Sequence, residues 1–415
     1  MSPLIKRSLA ALAGLCIGTS PVLANVITDW DETAVTIVAG TTPYAAQRFM
    51  AMVHVAMFDA VNSIERRYRP YLVQLPAAPG TSKESAAAAA ASAILATIDA
   101  KSADKVKGLL TSYLGSIPDD SRKSDGVALG EAIAAKVLEA RANDGADAPD
   151  AYRPRTRAGV YVPTAITAGS TWPGVKPFAL LNPSQFRPGP PISLKSGEWA
   201  TDYNELREFG SKASARRSPN QTETARFWLM VGPDAYHPIA RQLVNAKQMS
   251  VVDSARLMTL VAIALNDAYI AVLDAKYHYN FWRPITAIRN GDIDENLATE
   301  RDATWQPIDL TPMHPEYPCA HCIASGTVAA VVDAVFGTAD IPEVAMRSPT
   351  APGVTHRWAN TAALAEEVAN ARIWAGFHYR FSTRAGTQMG RRLGEYVVKS
   401  VLQADNPIRS GANKP

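Results

Sequence analysis

The sequence predicts an all-α protein of two helical bundles joined by a long proline-rich loop. Three observations carry this. Apolar residues recur at helical spacing along most of the chain. Alanine-rich and capped segments are frequent, and strand signals are sparse. Between about Arg153 and Pro191 the prolines come too often for either a helix or a central strand.

The segments follow in order. Residues 1–24 read as a secretory signal peptide. Lys6 and Arg7 give the positive start, Leu9 to Ile17 the apolar stretch, and Val22-Leu23-Ala24 the approach to a cut after Ala24. Cys16 follows Leu15, where a lipid-modification box takes a small residue, so a lipoprotein reading is weaker. Residues 25–152 form the N-terminal helical region. There "PYAAQRFMAMVHVAMFDAVNSIE" lines Phe49, Val53, Met57 and Val61 on one face. "TSKESAAAAAASAILATIDA" opens with Thr81 and Glu84 at capping-box spacing. Helical patterns continue over 103–115 and 121–143.

Residues 153–193 are the proline-rich loop. Loops of this length are uncommon inside compact domains and are often functional or inter-domain, so a boundary falls here. Residues 194–405 form a C-terminal helical bundle, with helices over 194–209, 221–230, 234–249, 253–280, 320–336, 356–376 and 383–404. Residues 406–415 are a tail.

Composition bounds the function. The hydrophobic fraction of 47% suffices for a large core. Net charge is +3 with no basic block, which argues against nucleic acid as a partner. Removing Lys6 and Arg7 from the 42 basic residues leaves 40 against 39 acidic ones, so any anion site is local. After the leader no run approaches the roughly 18 consecutive apolar residues of a membrane span. The expected product is therefore periplasmic or secreted, without a membrane span, and a homo-oligomer is compatible with it.

Three stretches of the second half concentrate chemistry. In "DAKYHYNFWRPITAIRNGD", Lys276 and Arg283 stand seven apart, about two helical turns, so both cations are expected on one helix face. Aromatic neighbours make a fully solvated face unfavourable, and cations among aromatics call for an anion. In "HPEYPCAHCIASG", Pro318 precedes an apolar helix, which puts Cys319, Ala320 and His321 at its N-terminus. Free N–H groups and the helix dipole favour an anion there, and a first-turn histidine can pass it a proton. In "ARIWAGFHYRFSTRAGTQMG", Arg372 and His378 are six apart. They would point about 240° apart on an unbroken helix, and converge only if the helix ends near Gly376 and the chain turns back. Taken singly, each stretch also reads as a surface cation or a packed histidine.

Together, Lys-x6-Arg-Pro, Pro-x-x-His at a helix start and Arg-x5-His resemble the signature of the type-2 phosphatidic acid phosphatase superfamily. "AMVHVAMFDAVNSIERRYRPY", "DAKYHYNFWRPITAIR", "HPEYP" and "GFHYRFS" resemble its vanadium-dependent haloperoxidase branch. The resemblance covers most of the chain and implies a haloperoxidase-like pair of helical bundles. It implies vanadate as cofactor, with His378 as the metal ligand, Lys276, Arg283 and Arg372 on the oxyanion, and His321 as acid–base group. It also implies backbone or side-chain contacts from Cys319 and Ala320. His314 matches a halide-tuning position, where histidine leans toward bromide or iodide over chloride. Halide, hydrogen peroxide and an organic acceptor would be the small-molecule partners. In the acid phosphatase alternative, a phosphomonoester would form a phosphohistidine at His378 without a metal. A non-catalytic oxyanion binder is the third reading.

Two positions depart from the family pattern. Pro-Ser-Gly-His is here Pro318-Cys319-Ala320-His321, and a thiol is a poorer donor than a hydroxyl. The aspartate that often follows the second histidine by four residues, where it orients the ring, is here Ser382. Cys319 and Cys322 have the spacing of a redox pair, but the βαβ context of a thiol oxidoreductase is missing. A zinc site would need more ligands than these residues supply. A local disulfide, or a thiol simply replacing the serine, stay open.

Overall fold

The computed structural model describes residues 25–163, 165–338 and 341–405. The leader at 1–24 and the tail at 406–415 lie outside the described residues. Among these, the chain forms thirteen α-helices and one two-stranded hairpin. The first five helices are α1 Val26–Val38, α2 Pro43–Glu65, α3 Lys83–Leu95, α4 Ala100–Gly115 and α5 Ser121–Arg141. After the loop come α6 Gly197–Phe209, α7 Pro219–Phe227, α8 His237–Ala246, α9 Val251–Tyr279 and α10 Pro284–Arg289. α11 Ala320–Phe336 precedes the antiparallel strands β1 Val344–Ser348 and β2 Ala351–Trp358, and α12 Thr361–Trp374 and α13 Arg380–Ser400 close the fold.

The helical fold class is as the sequence predicts. Three local expectations are corrected. α3 is capped by Ser82, whose side chain accepts from Ser85 N–H, while Thr81 turns back to Ala78 O. α1, with Trp30, Ala34 and Val38 buried, was not expected as an element. Residues 356–358 are strand, not helix: Val354, Thr355 and the alternation of half-buried and exposed residues from Val354 to Arg357 suit a pleated edge, and α12 starts only after its Asn360 cap.

α9 is the axis of the core. It is apolar and long enough to cross a membrane by composition, but 89% of its most apolar window is buried inside the fold. One apolar core takes in α2, α3, α9, α11 and α13. α11 and α13 approach closely because α13 offers small residues at every fourth position. A Cβ on Gly390 would lie 2.1 Å from Ile323 O, and Cβ atoms on Gly386 and Gly394 would meet Cys319 O and Thr327 O at 2.6 and 2.5 Å. This contact sets the start of α11 against the start of α13.

Among its described residues the proline-rich stretch is irregular apart from a 3-10 turn at Trp172–Gly174. It is held to the bundle by specific bonds. Asp267 of α9 accepts from the N–H groups of Phe178, Ala179 and Leu180 at 2.7–2.9 Å. Val160 bridges Phe281, Tyr161 N–H donates to Asn280 O at 2.8 Å, and Trp282 N–H donates to Gly159 O at 3.1 Å.

A cationic cavity at three helix ends

The site forms where α9 ends, α11 begins and α12 hands over to α13. Lys276 lies in the last turn of α9, which stops at Tyr279. Asn280 caps it with φ +51°, a left-handed conformation that asparagine tolerates better than most residues. Phe281 and Trp282 then run on outside any helix, and Arg283 precedes the short α10. The one-face expectation is therefore corrected: the chain folds Arg283 back toward Lys276 through the Asn280 turn, not along a shared helical stripe. The Gly376 expectation is met. α12 stops at Trp374, Gly376 has φ +80°, and His378 comes round to the side of Arg372. No side chain fits at 376, since a Cβ would lie 2.5 Å from Gly210 O.

Lys276, Arg283 and Arg372 are 0%, 1% and 2% exposed. Their visible partners are nearly all neutral. Lys276 Nζ donates to Pro315 O at 3.0 Å and Glu316 O at 2.7 Å. Arg283 donates to His314 O at 2.8 Å and Phe377 O at 3.1 Å, and Arg372 to Trp228 O at 2.6 Å. Arg372 Nε is buried with no partner. Burial lowers all three basicities, and the Arg283 charge lowers Lys276 and Arg372 further. Lys276 falls well below its ordinary value, Arg283 to about 10 and Arg372 to about 9. Buried cations that repel one another, one with an unmet donor, form a site built for an anion.

His378 and His321 can be assigned tautomers, because a guanidinium only donates and a carbonyl only accepts. Arg283 Nη1 stands 3.4 Å from His378 Nε2, so Nε2 carries the lone pair and Nδ1 the proton. That proton points at Glu316 Oε1, 2.7 Å away. His314 Nδ1 lies between a donor and an acceptor, 3.0 Å from Arg283 Nη2 and 3.1 Å from Pro315 O. His321, in the first turn of α11, donates from Nε2 to Met230 O at 2.9 Å, which leaves Nδ1 as its lone pair. Burial first, and the nearby cations second, hold all three rings well below the ordinary imidazole pKa.

The carboxylate on His378 corrects the expectation for Ser382. Ser382 Oγ sits against Glu316 without a hydrogen bond of good geometry, and does not hold the ring. Glu316 was not singled out from sequence. It stands inside "HPEYP", two residues after His314, and a carboxylate in so apolar a run was the signal available. Burial raises its pKa to about 7, against the opposing pull of Lys276 and Arg283.

A cavity of about 410 Å³ is lined by His314, Ala320, His321, Arg372 and His378. Ala168 of the proline-rich stretch and Leu310, Pro312 and Met313 form part of its wall. Lys276 and Arg283 stand behind this lining. Cys319 is a further correction, since it does not reach the cavity. It is fully buried, caps α11 by accepting from Cys322 N–H at 3.2 Å, and is bonded to Cys322 as a local disulfide. The open choice between a bridge and a free thiol thus falls to the bridge.

Comparison with known proteins agrees with this architecture. Residues 256–406 match the family described as the VCPO second helical-bundle domain. The vanadium chloroperoxidase of Curvularia inaequalis is 28% identical over 145 residues, covering 29% of this chain and 23% of that protein. The chain thus matches under a quarter of this relative's length. The crystal structure of a bacterial vanadium-dependent iodoperoxidase superposes with a TM-score of 0.77 at 23% identity, covering 92% of this chain and 96% of that one. This is a vanadium-haloperoxidase-fold protein. An apo bacterial vanadium-dependent chloroperoxidase superposes on this haloperoxidase fold with a TM-score of 0.71 at 16% identity, covering 88% and 96% of the two chains. The three cations, His314, His321 and His378 lie within the matched segment, while Tyr44, Ala168 and Leu229 outside it also line the cavity.

Proposed function

We propose that the chain is an exported vanadium-dependent haloperoxidase that oxidises bromide or iodide with hydrogen peroxide. One observation carries the reading: three buried cations gather around an unprotonated His378 Nε2, in a cavity that Arg372 and His378 line and Lys276 and Arg283 back, with Glu316 as the carboxylate among them. The unmet Arg372 Nε and the mutual repulsion of the cations fit a compact oxyanion such as vanadate. When bound, vanadate would supply Lewis-acid activation of peroxide toward halide.

The chain's own residues would do the rest. Lys276, Arg283 and Arg372 would offset the oxyanion charge, and the Ala320 N–H at the start of α11 adds a donor. His378 would bind the metal through Nε2. His321 would take and return a proton at Nδ1, its ring held by Met230 O. His314, fixed by Arg283, would adjust the guanidinium's share of charge and hence the halide accepted. Export is proposed from the leader, and a buried local disulfide suits an oxidising compartment.

The test uses purified mature protein with and without vanadate. Bromination or iodination of an indicator dye with peroxide is measured beside phosphomonoester hydrolysis. Vanadate-dependent halogenation supports the proposal. Hydrolysis inhibited by vanadate would replace it with the phosphatase reading, in which His378 attacks phosphorus. Vanadate binding without either activity would leave a non-catalytic binder.

A further inference from the structure

We propose that Glu316 is the positioning residue for His378: it takes over from the second motif the ring-orienting role for which the third motif here holds only Ser382. The inference rests on the oxyanion-site reading above.

The geometry is specific. Glu316 is fully buried, and its Oε1 accepts from His378 Nδ1 at 2.7 Å and Tyr379 N–H at 3.3 Å. Its main chain is fixed at both ends. Glu316 N–H donates to Phe281 O at 2.9 Å, and Glu316 O accepts from Lys276 Nζ at 2.7 Å. The carboxylate therefore has little freedom, and it passes that rigidity to the imidazole. A proton held on Nδ1 keeps Nε2 bare, the form a metal ligand or a nucleophile requires.

A rival account is charge balance, in which Glu316 merely offsets the cations. The two accounts predict opposite signs. If Glu316 only offsets charge, Glu316→Leu, which removes both the charge and the acceptor, makes the cavity more positive and tightens every oxyanion. If it positions the ring, the substitution frees His378 and weakens an oxyanion that bonds to Nε2. An oxyanion held by charge alone would not be weakened.

The experiment has two parts. Nitrogen NMR of His378 in the vanadate-free protein should show the Nδ1–H tautomer in the wild type and a mixed tautomer in Glu316→Leu. Titration calorimetry should show vanadate affinity falling about 10–100-fold in Glu316→Leu, with inorganic phosphate bound no more weakly than before. Vanadate bound equally or more tightly by the variant, or an Nε2–H tautomer in the wild type, overturns the proposal. Wild-type protein that binds no vanadate sinks the oxyanion reading instead. The tautomer measurement then still decides what Glu316 does.

Discussion

Two buried polar clusters in this molecule look alike on a list of residues and differ in charge. In the first, Asp31 of α1 accepts from His54 Nε2 at 2.8 Å, His237 Nδ1 at 2.6 Å and Arg241 at 2.5 Å. One carboxylate meets one guanidinium and two imidazole nitrogens, so each side chain of the cluster has its counterpart inside the fold. Burial raises the carboxyl's pKa, but His237 and His54 outweigh it and hold Asp31 well below the usual range. These side chains could be drawn as a metal triad. Yet Arg241 already occupies the carboxylate, and both rings spend an N–H on it. In the second cluster three cations face the single carboxylate Glu316, and Arg372 Nε goes unmet. The balanced cluster ties α1, α2 and α8 together. The unbalanced one carries charge that folding alone does not satisfy. Surplus charge of one sign, not burial or histidine content, separates a ligand site from a structural knot.

The contrast can be broken in several ways. His378→Ala should abolish vanadate binding while the fold persists; stoichiometric vanadium in the purified variant would refute the ligand assignment. Asp31→Asn should cost about 3–5 kcal/mol of stability, because Arg241 and two rings lose a common acceptor. Urea melts would check this, with vanadate affinity of the surviving folded fraction unchanged. Arg372→Met should do the reverse. Oxyanion affinity should drop by roughly 2–5 kcal/mol, while the ligand-free protein keeps or gains stability by losing one repelling cation. A large destabilisation of ligand-free Arg372→Met would put this residue in the structural class.

A pH series sharpens the same comparison. His54, His314, His321 and His378 all have folded pKa values below the ordinary one. Below pH about 6.5 the unfolded chain gains protons that the fold refuses, so stability falls as pH falls. Glu316, raised to about 7, and Asp59, raised to about 6, work the other way, as do the raised carboxyls of Asp29, Asp202, Asp234 and Asp267. The part owed to one ring is therefore read as a difference: His378→Ala should remove a loss of up to about 1.4 kcal/mol per pH unit as pH drops from 6.5 to 5. An unchanged slope in the variant would mean that the ring is protonated in the fold. The smallest effect is expected at the disulfide. Cys319→Ser with Cys322→Ser should cost about 2 kcal/mol or less for so short a loop, with vanadate affinity retained, because Cys319 stands behind the cavity wall.

Much of the site was legible because its motifs are local. His321 at a helix start follows from Pro318 and the apolar run behind it. The turn between Arg372 and His378 follows from Gly376. The route from Lys276 to Arg283 was misread, because spacing alone counts helical turns and does not register that Asn280 ends the helix early. Glu316 was missed for a different reason. Its partner His378 is 62 residues away, and no local pattern pairs them. Nor did the hairpin after α11 stand out, since short strands leave few periods to read.

By itself the sequence determined the helical class, the three motif segments and the charge types they bring, because helical periodicity, caps and breakers act within a few residues. Only the tertiary structure decided which carboxylate holds His378, that Cys319 is spent in a local bridge, and that the proline-rich stretch forms part of the cavity wall. Those outcomes depend on the close approach of α11 to α13 and on segments far apart in the chain. Packing sets such contacts, and no local pattern along the chain encodes them.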